Sequence, residues 1–254
     1  MIIEYHRPEK IEEALELIAR KDPHTVPMGG GTVLATPKSE DLAVVDLQLL
    51  GLNKISQTAK LLKVGATATL QDLLQLDQIN PELAKTIELE STRTLRQSAS
   101  VAGALVSADG RSPLAIAALA MDAQFVVEPE KENLSFGEIL PLRKNALKER
   151  IIVAVHFPRN VFLAYEYVAR TPADLPIVAL ALAKWPSGRT RLVAGGFGAQ
   201  PALALDGKDD SGLEDALSNA LHGSTDKWAE EEYRQEAGKA LLTRAIAGIK
   251  EATK

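Results

Sequence analysis

The chain has no cysteine in its 254 residues. That excludes disulfides, iron–sulfur ligation by thiolates and a cysteine nucleophile. If the protein moves electrons, another chain or a non-thiolate cofactor must help. Histidine is scarce too. His6, His24, His156 and His222 are scattered without ligand spacing such as HExxH, so no metal site is expected. There is no long basic run, and the formal net charge is −5. A chain of that sign lacks the broad positive field that phosphate backbones attract, so nucleic acid is not an expected partner. No apolar run approaches the length of a membrane span. The opening MIIEYHRPEK has no cationic stretch before an apolar core, so no signal peptide is visible and the cytoplasm is the expected compartment.

What is present is an ordinary globular composition, 46% hydrophobic and 25% charged, in a length that allows one large domain or two modest ones. Helix and strand signals alternate over the first two-thirds. Ile11, Ala14, Leu15 and Ile18 fall on one helical face, and Asp22-Pro23 stops that helix. Residues 25–28, 42–46, 61–64, 124–127 and 151–157 read as strands. TLQD at Thr69 is a capping-box pattern opening a helix, and Asn80-Pro81 and Ser112-Pro113 open two more with proline at the first position. Leu114, Ala117, Ala118 and Met121 mark the expected buried face of the last. Beyond Pro158 the pattern changes. Residues 162–170, 177–185 and 190–197 read as strands, the last two joined in a hairpin at Ser187-Gly188, and helices over 212–221 and 226–252 close the chain. A domain boundary is expected near 160.

Two segments suggest a binding role. In VPMGGGTVLAT, three glycines directly follow a strand. Glycine permits positive φ and close approach, and several amides aimed into one concavity make a nest for a phosphate, with the Thr32 hydroxyl as a further donor. The spacing is neither GxxxxGK[ST] nor GxGxxG, and a simple tight turn is an equal reading. SASVAGA (98–104) reads as a second loop of small residues that lets a ligand come close; close packing of backbone on a neighbour explains it as well.

Together these segments resemble the FAD-binding, medium-subunit family of molybdenum-containing dehydrogenases of the xanthine and carbon monoxide dehydrogenase type. YHRPEKIEEALELI is similar to the family's opening. GGGTVL resembles its first flavin loop, LLKVGATATLQDLL its strand, turn and helix, and STRTLRQSASVAGAL its second flavin loop. SPLAIAALAMDAQFVV, AYEYVARTPADLPIVALALA, RLVAGGFGAQPAL and EEYRQEAGKALLTRAI resemble later blocks in the same order.

The resemblance implies an α+β fold. Residues 1–160 would form a two-subdomain FAD-binding domain of the vanillyl-alcohol-oxidase (PCMH-like) kind, split near 50–55. Residues 161–254 would form a small antiparallel sheet with helices, like the C-terminal domain of carbon monoxide dehydrogenase flavoproteins. It implies FAD as cofactor, a molybdopterin-binding large subunit and an iron–sulfur small subunit as partners, and electron relay through the flavin to an external acceptor. A flavin-free scaffold subunit of such a complex and an unrelated nucleotide-binding domain are the alternatives.

Carried over residue by residue, the resemblance puts Gly29, Gly30, Gly31, Thr32 and Val33 at the FAD diphosphate. Ser100, Val101, Ala102, Gly103 and Ala104 fall beside the cofactor, and Ile152 and Tyr167 near its ring. Ala102 departs from the family pattern by replacing a glycine, and Val33, Ala104, Pro113 and Tyr167 depart from it by replacing polar residues or a lysine. Arg170 and Asp174 fall at retained charged positions and are expected to form a structural ion pair.

Overall fold

A computed structural model describes residues 1–34 and 41–253, so the last two residues of VPMGGGTVLAT lie outside the described part. The chain is built in α+β fashion as three lobes around three sheets.

The first lobe runs β1 (Ile2–His6), α1 (Ile11–Ala19), β2 (Thr25–Met28) and β3 (Leu42–Asp46). Its strands lie parallel in the order β1-β3-β2. Central β3, LAVVD, is buried at every position, as a strand covered on both sides must be. The apolar stripe of α1 meets it: Ala14 and Ile18 pack with Val45, Leu47 and Ile151. Because Ile151 belongs to the next lobe's sheet, the two lobes are wedged together at one end.

The second lobe contains β4 (Ile55–Gln57), β5 (Leu61–Gly65), α2 (Leu70–Leu74), α3 (Pro81–Glu90), α4 (Arg93–Arg96), α5 (Val101–Ser107), α6 (Pro113–Ala120), β6 (Gln124–Glu128), β7 (Glu132–Ser135), α7 (Phe136–Ile139), α8 (Arg143–Ala146) and β8 (Ile151–Pro158). The sheet is antiparallel, in the order β4-β5-β8-β6-β7. The expected helix starts are present. Thr69 and Asp72 exchange side-chain bonds to each other's backbone N–H at 3.0 Å, a complete capping box. Asn80 and Ser112 cap α3 and α6 with their side chains ahead of a proline.

The third lobe is β9 (Phe162–Val168), β10 (Val178–Lys184), β11 (Thr190–Gly195), β12 (Ala202–Gly207), α9 (Leu213–Leu221) and α10 (Glu231–Ala252). Its antiparallel sheet has the order β12-β11-β10-β9. One face of the sheet packs on α9 and α10 through Leu180, Leu182, Leu192, Leu217, Leu241 and Ala245. The other face shares a core with the second lobe: Leu163, Tyr165, Ala181 and Val193 join the cluster that holds Leu114, Ile116 and Phe125. The chain changes sheet between Pro158 and Phe162, but the apolar core runs straight across that point.

Three expectations need correction. Helix α6 has no single buried face; all eight residues Pro113–Ala120 are buried, because it is enclosed between the third lobe's sheet and helices α3, α5 and α7. Helix α10 begins at Glu231 rather than near 226. Asp226 instead accepts the amides of Trp228 and Ala229 and holds that stretch in a turn. Arg170 and Asp174 form no ion pair among the described residues. The Arg170 guanidinium lies 5.1 Å from the Trp228 ring centroid and donates to the Trp228 carbonyl.

An edge strand needs its free backbone groups occupied. On β9 this is done from α3. Glu82 Oε2 accepts the Tyr165 N–H at 3.1 Å, and Lys85 Nζ donates to the Tyr165 carbonyl at 2.7 Å. Replacing Glu82→Ala strands that N–H in a half-buried setting and is expected to cost about 1 kcal/mol. The check is the midpoint of urea unfolding, with Glu82→Gln, which keeps an acceptor, recovering most of the loss.

Candidate functional site

The glycine run and the small-residue segment, distant in sequence, lie against each other. Strand β2 ends at Met28, whose carbonyl accepts the Leu47 N–H at 3.0 Å. The chain then turns through Gly29, Gly30 and Gly31. Gly30 faces residues 98–99 so closely that a Cβ there would lie 1.6 Å from the Ser98 carbonyl oxygen. Gly31 has φ +69°, the left-handed region that favours glycine. Gly29 meets the Ser100 side chain. The run is thus a tight turn packed against residues 98–100, one of its two expected readings. Among the described residues, the N–H groups of Gly29, Gly30, Gly31 and Thr32 donate no hydrogen bond. Several free amides in one turn form a ready anion nest.

The second segment is not the loop expected from its small residues. Ser100, in extended conformation, caps the seven-residue helix α5, and its hydroxyl accepts the Gly103 N–H at 3.3 Å. The Val101 N–H goes to the Ala68 carbonyl at 2.9 Å and that of Ala104 to the Ser100 carbonyl at 2.9 Å. Among residues 101–104 only the Ala102 N–H lacks an internal acceptor within the described chain. A capping serine followed by valine and alanines starts a helix more readily than it stays irregular.

Between the first and second lobes runs a cleft of about 720 Å³. That is within the range of sites that take sizeable small molecules. Gly29, Ser100, Ala102, Gly103 and Ile152 all line it, with Leu47, Ala66 and Val106 as further floor. So five of the residues proposed from sequence converge on one cavity. Ile152 serves both readings: it packs on the second lobe's core and shows a face to the cleft. Gly30, Gly31 and Thr32 lie half-buried in the turn beside Gly29, and Val33 is 49% exposed. Val101 is wholly buried in the core, and Ala104 packs at its margin. Tyr167 is not among the cleft residues; its ring stacks on Tyr165, centroids 5.7 Å apart.

The remaining walls come from residues that the sequence did not assign to a binding site. One is the end of α1 and the turn after it, including Ile18, Arg20, Lys21 and His24. The other is the stretch from Arg143 through Leu147 to Arg150. Some of this charge is spoken for. Arg20 pairs with Glu4 at 2.7 Å, and Arg150 with Glu130 at 3.3 Å. Hydrogen bonds from His6 and then Arg20 hold the Glu4 carboxyl below its ordinary pKa. Arg143 donates to the carbonyls of Ala108 and Ala199, tying the wall to both later lobes. No spacing rule reveals these side chains, because the fold brings them together from two turns.

Among the described residues no group of three or more His, Asp or Glu could hold a metal ion, and no helix is long and apolar enough to cross a membrane.

Comparison with known proteins gives the following. The family described as the FAD binding domain in molybdopterin dehydrogenase matches residues 1–160. The Escherichia coli (strain K12) protein YgfM is 27% identical over 259 residues, spanning 99% of this chain and 98% of that protein. A chain of quinoline 2-oxidoreductase from Pseudomonas putida 86 superposes with a TM-score of 0.79 at 20% identity, covering 99% of this chain and 98% of that one. A chain of carbon monoxide dehydrogenase from Hydrogenophaga pseudoflava, in a form lacking the Mo-pyranopterin moiety, gives 0.76 at 18% identity, covering 97% and 96%.

Proposed function

Because the chain belongs to the family of FAD binding domains in molybdopterin dehydrogenase, we propose that it is the flavin subunit of a molybdenum hydroxylase, relaying electrons from iron–sulfur clusters to an external acceptor. The observation that carries this reading is the turn at 29–32, whose amides are unspent and whose first residue, Gly29, lines a cleft between two lobes. Those amides suit a diphosphate, and Gly30 keeps the turn close enough to the start of α5 for both to reach one ligand. Bound FAD supplies the redox chemistry, accepting and passing on electrons one or two at a time. The chain's own part is to grip, orient and shield it. Ser100 fixes the first turn of α5 and leaves the Ala102 N–H without an internal acceptor, as one more donor for the ligand. Ile152 and Val106 provide apolar wall.

The absence of cysteine fits a division of labour in which the clusters lie on a small partner subunit and substrate oxidation on a molybdopterin-binding large one. Val33, exposed at the end of the turn, offers no side-chain hydrogen bond, so backbone groups carry the phosphate contacts. Tyr167 lies outside the cleft lining, so its proposed place near the flavin ring belongs to the assembled complex or falls away.

The test is purification from the native host with an absorbance spectrum. The expected result is a yellow protein that releases FAD on heating and travels with the two partner subunits. A colourless protein that also refuses added FAD overturns the flavin role; if it still travels with the partners, a scaffold role replaces it.

A further inference from the structure

The chain carries more negative than positive charge overall, at −5, yet the cleft is lined by the opposite sign. Among the described residues its one acid is Glu149, against Arg20, Lys21, Arg143, Lys148 and Arg150. Arg20 and Arg150 spend their charge on carboxylates, and Arg143 is occupied by two carbonyls. Lys21 has no hydrogen bond or ion pair among the described residues, and neither does the ring of His24. Lys148 reaches only its neighbour Glu149, at 3.6 Å with both side chains exposed, a contact of little strength. Lys21 and Lys148 reach the cleft from different lobes, one after α1 and the other before β8. A cleft with one sign of charge and apolar walls focuses its field on whatever enters.

We propose that Lys21 and Lys148, with the His24 ring as a further hydrogen-bond donor, form a cationic mouth that recruits the phosphates of the dinucleotide and makes this chain select FAD over uncharged flavin. This rests on the flavin reading above but is separable from it. The amides of the glycine turn hold the diphosphate by short-range hydrogen bonds. The lysines act over a longer range, and only that component falls with salt. Riboflavin, which has no phosphate, gains nothing from them.

The experiment titrates flavin-free full-length chain with FAD, riboflavin and ADP at low and high ionic strength. It compares wild type, the Lys21→Gln/Lys148→Gln pair, and a control pair with the same charge change on α10, Lys239→Gln/Lys250→Gln. The expected result is a rise of about tenfold in the FAD Kd for the cleft pair at low salt, a flatter salt dependence, and unchanged riboflavin binding. The control pair stays at wild-type affinity. FAD bound by the cleft pair as tightly as by wild type, with the same salt dependence, overturns the cationic mouth and leaves the flavin subunit standing. A wild type that binds ADP but not FAD, and loses ADP in the cleft pair, keeps the mouth and removes the flavin. Binding of neither ligand by wild type sinks both.

Discussion

Replacing Gly30→Ala is expected to abolish FAD uptake while leaving most of the chain folded. The added Cβ would sit 1.6 Å from the Ser98 carbonyl oxygen and 2.6 Å from its carbon, both backbone atoms that cannot rotate aside. The turn and the start of α5 must separate, breaking the contact of Gly29 with Ser100 and re-aiming the amides of 29–32. Overpacking of this kind costs about 1–3 kcal/mol of stability. Binding suffers more, because several N–H groups lose register with one diphosphate together. If each contributes about 1.5 kcal/mol to a charged acceptor, losing two weakens affinity at least a hundredfold. Gly31→Ala is the informative companion. Its φ of +69° makes alanine cost about 1–2 kcal/mol, and among the described residues its Cβ would meet the flexible Met28 side chain alone, nearest at 3.3 Å. It is therefore expected to bind FAD more weakly than wild type but far better than Gly30→Ala. Flavin titration followed by fluorescence, with melting curves of the apo proteins, separates the effects. Equal binding by Gly30→Ala and wild type would show that the diphosphate lies elsewhere.

The sequence made some of this legible and hid the rest for identifiable reasons. Where a local rule determines the outcome, the reading succeeds. Thr69–Asp72, Asn80-Pro81 and Ser112-Pro113 are local devices, and each caps a helix as expected. Strand β3 shows in its own composition, five residues buried in a row. Strand β1 does not, since Ile2, Ile3 and Tyr5 are all exposed on an edge and leave no alternating pattern. Strands β4 and β7 are short and mostly polar, and both lie at sheet edges. In SASVAGA, small residues signal close approach correctly, but not that Ser100 turns them into a helix whose amides are largely used. The cleft walls at Lys21, His24 and Lys148 depend on which turns meet in space, information that no periodicity contains.

Arg234 is the clearest case of a hidden determinant, and its replacement is expected to cause the largest loss of stability. In sequence it is one charge on a polar helix. In the structure it is fully buried. Its guanidinium donates to the carbonyls of Ile177 at 2.9 Å, Ala229 at 3.0 Å and Gly196 at 3.4 Å, to that of Ser224, and to Asp226 at 2.8 Å. It also faces the Phe197 ring at 5.4 Å. One planar cation thus fastens α10 to the start of β10, the end of β11 and the turn ahead of the helix. Arg234→Leu removes every donor and leaves Asp226 and four carbonyls without it. The expected cost is about 3–5 kcal/mol, or on the order of 10 °C in Tm for a chain of this size. Arg234→Lys keeps the charge but not the fork, and recovers less than half. The pH dependence identifies the partner. Burial pushes the Asp226 carboxyl up, but hydrogen bonds from Arg234 and the amides of Trp228 and Ala229 outweigh it and leave the pKa below its ordinary 3.8. A depressed carboxylate stabilises the fold above its unfolded pKa and loses that contribution as pH falls through the folded one. The gap between wild type and Arg234→Leu should therefore be full near neutrality and narrow as the pH drops below about 3.8. A gap that stays constant through that window would mean that the carbonyls, not Asp226, supply the whole effect.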